Sequence, residues 1–223
     1  MKRFSWSLLL TLILSCPGFA ADNNSVLSSW LNAQTNIHSW SADFVQTRQF
    51  KTLTQPLIES GKVWFAEPNR FRWELGQPPK TIAVRATDEM LLLYPHLKRA
   101  ERYPLNSNAP GPWRDALALL EAGFPRSQAE MESKFRIASQ VATNDVCHFV
   151  LQPKSSAARK MMPQIEIVFD LKARSLQAIE FQFGDGSSLR NDFKDAVLNP
   201  KFDERMFTPP IPADFKIVEP LKK

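Results

Sequence analysis

From Trp40 onward the chain repeats one pattern, short runs in which apolar side chains recur at every second position, each closed by turn-forming residues. A period of two sends successive side chains to opposite faces, so each run is a strand with one buried and one solvated side. In the first run Trp40, Ala42, Phe44 and Gln46 share one face and Ser41, Asp43, Val45 and Thr47 the other. Further strands are expected at Gly61–Ala66, Phe71–Glu74, Thr81–Arg85, Met90–Tyr94 and Arg99–Tyr103, separated by Pro68-Asn69, Gln77-Pro78-Pro79, Thr87-Asp88 and Pro95. They return at Phe135–Val141, Val146–Leu151, Ile165–Leu171, Leu176–Phe183 and Ser187–Phe193, with Asp185-Gly186 as a hairpin turn, and a last one at Phe215–Val218 in a Pro-rich tail. Runs joined by short turns pair antiparallel, which predicts one mainly β (α+β) domain, a long antiparallel sheet of about ten strands with its helices on one face.

Three helical stretches interrupt the strands. Asp22-Asn23-Asn24 can cap a helix that places Val26, Leu27, Trp30, Leu31 and Ile37 on one side. Pro112 opens a second helix carrying Trp113, Leu117, Leu120 and Phe124 inward, stopped by Gly123 and Pro125, and Ser127 with Glu130 suits a capping box for a short third. Residues 1–20 read instead as a secretory leader, with Lys2-Arg3, an apolar stretch from Trp6 to Leu14 and small residues at Gly18 and Ala20, so the folded domain is expected over 21–223. Leu14 two positions before Cys16 and Pro17 after it fit a lipoprotein leader poorly, so no lipid is expected on Cys16.

Charge and motif content narrow the function classes. There are 28 Lys and Arg against 23 Asp and Glu, and two of the basic residues lie in the leader. That balance is too mild to argue for nucleic acid. Cys147 is left without a partner for a disulfide, and no second apolar run approaches the roughly 20 residues of a spanning helix. His38, His96 and His148 lack metal-ligand spacing, and Asp43, Glu67, Glu74, Asp88 and Glu166 occur singly in turns or in the polar phase of strands. No nucleophile elbow, P-loop or dinucleotide fingerprint is present, so no catalytic residue, metal or cofactor is expected. The alternative is an enzyme whose groups converge from distant strands.

Apolar surface is in surplus. Val63-Trp64-Phe65 and Met90-Leu91-Leu92-Leu93-Tyr94 are apolar in both phases, more than a sheet buried on one face requires. A plain packed core accounts for this, and so does a curved sheet whose helices help it enclose a cavity for an apolar ligand.

The motifs resemble those of the periplasmic outer-membrane lipoprotein carrier family of the LolA type. Trp40-Ser41-Ala42-Asp43-Phe44-Val45-Gln46 is similar to that family's aromatic-x-Ala-x-Phe-x-Gln first strand. Gly61-Lys62-Val63-Trp64-Phe65-Ala66-Glu67-Pro68-Asn69-Arg70-Phe71-Arg72-Trp73 is similar to its Gly-x-Leu-Trp and Arg-Pro-Asn-x-Phe-x-Trp signature. Asp88 with Leu91–Pro95, Phe149–Lys154 and Phe207-Thr208-Pro209-Pro210 resemble later family segments. One position departs, Glu67, where the family usually carries an Arg thought to tie the barrel to its lid.

The resemblance implies an incomplete antiparallel β-barrel, or half-barrel, with helices forming a lid over a hydrophobic cavity. It implies a monomeric, non-catalytic periplasmic carrier that takes lipoprotein acyl chains from an inner-membrane ABC lipoprotein exporter to an outer-membrane receptor lipoprotein. Alternation within the strands assigns Trp40, Phe44, Phe71, Trp73, Ile165, Ile167, Phe169, Ile179 and Phe181 to the cavity, while Trp30, Trp113, Leu117, Leu120 and Phe124 are the lid candidates. The alternatives are a specialised lipid-binding paralogue, a lipid-sensing regulatory module, and an accessory to lipid or polyene assembly.

Overall fold

The computed structural model describes residues 28, 30–32, 35–86, 89–105 and 128–221. Their centre is a single open, curled sheet of twelve strands, one at each run read from the sequence, against the rounded estimate of about ten. In chain order these are β1 (Ser39–Gln49), β2 (Leu57–Ala66), β3 (Arg70–Leu75), β4 (Thr81–Arg85), β5 (Glu89–Tyr94), β6 (Arg99–Pro104), β7 (Phe135–Thr143), β8 (Val146–Pro153), β9 (Gln164–Asp170), β10 (Ser175–Gln182), β11 (Ser188–Leu198) and β12 (Lys216–Val218). They are arranged β12-β6-β5-β4-β3-β2-β1-β11-β10-β9-β8-β7. Two meanders, β1–β6 and β7–β11, thus join through β1 and β11, the two longest strands. Every neighbouring pair is antiparallel except β12, which lies parallel to β6 and departs from the all-antiparallel expectation.

The turns explain the short connections. Asn144, Arg174 and Gly186 hold positive φ between β7 and β8, β9 and β10, and β10 and β11, where tight reversals require the left-handed region. Asp185-Gly186 makes the expected hairpin turn, closed by the Gly186 amide donating to the Phe183 carbonyl at 3.0 Å. Register shifts at Ser41/Asp43, Ile137/Ser139 and Leu176/Ala178 mark bulges, which increase local twist and bend the strand that carries them.

Two short helices flank the sheet, α1 (Gln128–Lys134) and α2 (Ser156–Met161). The first corresponds to the expected short third helix. The second was not foreseen, because Ser156-Ala157-Ala158-Arg159-Lys160-Met161 has little apolar periodicity, and only Ser155, whose Oγ accepts from the Ala158 amide at 3.3 Å, signals its start. Residues 28 and 30–32 are helical, in agreement with the N-terminal helix, whereas its cap at Asp22-Asn23-Asn24 and its members Val26 and Leu27 lie outside the described residues. The expected helix carrying Trp113, Leu117, Leu120 and Phe124 also lies outside them.

The both-phase apolarity of β2 and β5 has a structural cause, burial on both sides of the sheet. In the paired register Val63, Trp73, Ala83 and Leu92 lie on the concave face, whereas Trp64, Val84, Leu91 and Leu93 lie on the convex one. The convex set is covered by the C-terminal segment. Phe207 packs with Ala66 and Val84 beneath Trp64, Phe202 and Met206, and Ile211 and Phe215 cover Leu91, Leu93 and Ala100. These strands are buried on both sides because the chain returns over them, and buried strands read as continuous apolar runs.

Candidate functional site

The concave face carries the largest apolar cluster. Trp40, Ala42 and Phe44 of β1 meet Val63 of β2, Cys147, Phe149 and Leu151 of β8, Ile165, Ile167 and Phe169 of β9, and Leu176, Ile179 and Phe181 of β10. Eight of the nine residues assigned to the cavity from sequence lie in or against this cluster, Trp73 at its partly buried margin. Phe71 shares the face of Trp73 but stands half-buried outside the cluster among the described residues.

Aromatic contacts measure the curl. Trp73 on β3 and Phe193 on β11 are three strand spacings apart, about 14 Å along a flat sheet, yet their ring centroids are 6.2 Å apart at nearly a right angle. Phe44 bridges them, 4.0 Å from Trp73 and 6.3 Å from Phe193. Gly61 makes this approach feasible. It pairs with Phe44 across β1 and β2, and a methyl group built on it would overlap the Phe44 ring and the Glu74 carbonyl.

The protein's own helices fill part of this face. Trp30 is 1% exposed, stacked on Phe149 at 5.2 Å and tilted against Phe169 at 5.4 Å, and Leu31 and Met131 of α1 join the same cluster. Of the residues expected in a lid, Trp30 is therefore placed against the concave wall, while Trp113, Leu117, Leu120 and Phe124 lie outside the described residues.

Polar groups on the concave side are few and specifically placed. Gln46 Nε2 donates to Asn191 Oδ1 at 3.0 Å, both residues buried, across the seam between β1 and β11. Glu101 on β6 continues the row of Trp73, Ala83 and Leu92, accepts from Tyr103 Oη at 2.7 Å and pairs with Arg99 at 2.5 Å. Burial, then the hydrogen bond to the Glu101 carboxylate, pushes the Tyr103 hydroxyl up to about 12. Burial alone pushes the Cys147 thiol up to about 11, which keeps it a small apolar wall residue. Sequence reasoning put Gln46 on the inner face but missed its partner and missed Glu101, since an acidic residue in a strand ordinarily signals the solvated side.

The single carboxylates singled out in the sequence have basic neighbours. Asp43 pairs with Lys62 at 2.9 Å, Glu74 with Arg72 at 2.7 Å and Glu166 with His148 at 2.8 Å, while Asp88 lies outside the described residues. These are exposed or half-buried pairs of modest energetic value. Among the described residues no group of three or more His, Cys, Asp or Glu could hold a metal ion.

Glu67 directly follows β2 and lies beside the entry to β1. Its carboxylate lies 2.8 Å from His38 Nδ1, and its amide donates to the His38 carbonyl at 2.9 Å. Arg70 and Arg72, the cations nearest to the departing position, are engaged on the convex side instead. Arg70 donates to the Glu67 carbonyl at 2.9 Å, pairs with Glu204 and covers the Phe207 ring at 5.2 Å, and Arg72 Nη1 donates to the Met206 carbonyl at 3.1 Å. Both hold the C-terminal segment.

Comparison with known proteins bears on this geometry. Residues 35–210 match the family described as outer membrane lipoprotein carrier protein LolA. An outer-membrane lipoprotein carrier protein from Chromohalobacter salexigens is 24% identical over 219 residues, covering 98% of each chain. An uncharacterized conserved protein from Thermus thermophilus has a similar fold, with 11% identity, a TM-score of 0.51 and coverage of 88% of this chain and 98% of that one. A putative outer membrane lipoprotein-sorting protein domain from Vibrio parahaemolyticus is 13% identical over 83% of this chain and 97% of its own, with a TM-score of 0.45.

Proposed function

The chain belongs to the LolA family of outer-membrane lipoprotein carriers, and from that premise we propose that its concave face binds the acyl chains of lipoproteins and carries them through the periplasm. The mature protein on this reading begins at Ala21, is unlipidated and monomeric, receives cargo from an inner-membrane ABC exporter and yields it to an outer-membrane receptor lipoprotein, without catalysis. The observation that carries it is the apolar concave face with Trp30 and Leu31 inserted in it. Moving acyl chain into water costs about 0.8 kcal/mol per methylene, so a multiply acylated protein needs portable apolar surface to cross an aqueous space. A face filled by the protein's own helices when empty meets the second requirement, that apolar surface not stand open before cargo arrives. Cargo then competes with Leu31 for the wall beside Trp30, which sets two apolar occupants against each other and keeps release feasible.

Organic extraction of the protein purified from periplasm, followed by mass spectrometry, tests this reading. Recovery of acylated peptide or lipid is expected, and intact mass is expected to give an N-terminus at Ala21. A protein that emerges without lipid and takes up none when offered it refutes carriage.

A second reading, a specialised paralogue, is favoured by Glu67. An ionised carboxylate only accepts hydrogen bonds where a guanidinium only donates, and here it engages His38, immediately before β1 and a few residues beyond the helix of Trp30. The tie between sheet and helix would then run through an acidic group, with a different balance of closure and release.

A further inference from the structure

Resting on the carrier reading, we infer that the Trp30 indole N–H is a hydrogen-bond donor to the ligand, received by the ester or amide carbonyl at the head of an acyl chain. Trp30 is 1% exposed, and its Nε1 is buried with no acceptor among the described residues. Its ring partners are Phe149 and Phe169, which offer only π faces and edges. The buried polar pair on the same face, Gln46 with Asn191, is bonded to itself. Buried tryptophans ordinarily find a partner for this group, because an unmade bond in a dry interior carries the full penalty of desolvation. Phenylalanine would give the same stacking on Phe149 and Phe169 without that penalty. The donor is explained if the occupant that shares this wall brings the acceptor. An acyl chain lying on the concave face beside Phe149 and Phe169 carries one carbonyl at its head, whereas an alkyl chain of the same length carries none. The site therefore selects acyl over alkyl ligands, and the closed empty form holds an unsatisfied donor that loading relieves.

Matched lysophosphatidylcholines, one palmitoyl ester and one hexadecyl ether, differ at that carbonyl and serve as probes, titrated against the full mature chain and its Trp30→Phe variant. The wild type is expected to bind the ester about five-fold more tightly, the worth of one net neutral hydrogen bond, and the variant to bind both alike. A downfield shift of one indole proton in the wild type with the ester, and not with the ether, is the companion result and does not depend on the variant folding. Equal affinities in the wild type, an ester preference retained by Trp30→Phe, or no indole shift overturns the inference while leaving carriage standing. Failure of the wild type to bind either lipid overturns carriage itself, and the inference with it.

Discussion

Truncating Phe207 to alanine separates the two apolar faces of the sheet experimentally. Its ring is 2% exposed, wedged on the convex side between Ala66 and Val84, with Phe202 at 6.1 Å edge-on and the Arg70 guanidinium at 5.2 Å. Phe→Ala in a packed core costs about 3–5 kcal/mol, a figure that already includes lost contacts with neighbouring groups. The C-terminal segment can settle partly into the space, so the lower end, about 3 kcal/mol, is expected. For a domain of this size that corresponds to a fall in Tm of about 6–12 °C. Phe202→Ala, at a half-buried ring, should cost about 1 kcal/mol. Urea titration followed by tryptophan fluorescence gives both values, and palmitoyl lysophosphatidylcholine affinity at low temperature should stay within about two-fold of wild type for each variant. A loss below about 1 kcal/mol for Phe207→Ala would show that the C-terminal segment is not a structural cover. A large drop in lipid affinity would show that the convex cluster takes part in binding, and the division between the faces would fail.

Trp73→Asn is the complementary change on the concave side; it should raise the Kd for the same lipid about ten-fold or more in a folded protein, and unchanged affinity would remove Trp73 from the binding surface. Gly61→Ala should destabilise by about 1–3 kcal/mol because its methyl group displaces the Phe44 ring, measured as a shift in the urea midpoint. Tyr103 is ordinarily titrated near 10.0 and here only at about 12, so the folded state keeps this proton longer, and its contribution is intact below pH 10 and lost as pH climbs toward 12. Urea midpoints measured across that interval should fall less steeply in Tyr103→Phe than in the wild type. Glu67→Arg exchanges the contact with His38 for the guanidinium usual in the family, and if that guanidinium holds the lid more firmly, binding of a hydrophobic dye to the empty protein should fall; equal dye binding would release this position from that role.

Most of the strands were legible because alternation of apolar and polar residues survives wherever one face is wet. Thr81–Arg85 coincides with β4, and Phe71 and Trp73 against Arg70, Arg72 and Glu74 gave the correct face for β3. The misses have physical causes. The start of β2 at Leu57 and Ile58 is exposed, at 54% and 66%, and thus carries no burial signal. The apolarity of Trp64, Leu91 and Leu93 left a packed core and a cavity both open, because nothing local in sequence tells which distant segment returns to cover them. Glu101 and the Gln46 to Asn191 pair escaped for the opposite reason, since buried polar residues are made tolerable by partners that only the tertiary register brings close.

The strand order also dictates when the molecule can become whole. Each meander forms from neighbours in sequence, but the seam between β1 and β11 joins residues such as Gln46 and Asn191, 145 positions apart. Closing so long a loop is entropically late, so the two halves should organise first and the seam last. Until residues 188–198 are available, β1 presents a free edge carrying Trp40 and Phe44, a template for pairing with another chain. The interval between emergence of the first meander and arrival of β11 is therefore the period of greatest aggregation hazard, and a holdase that shields β1 would act at that stage of biogenesis.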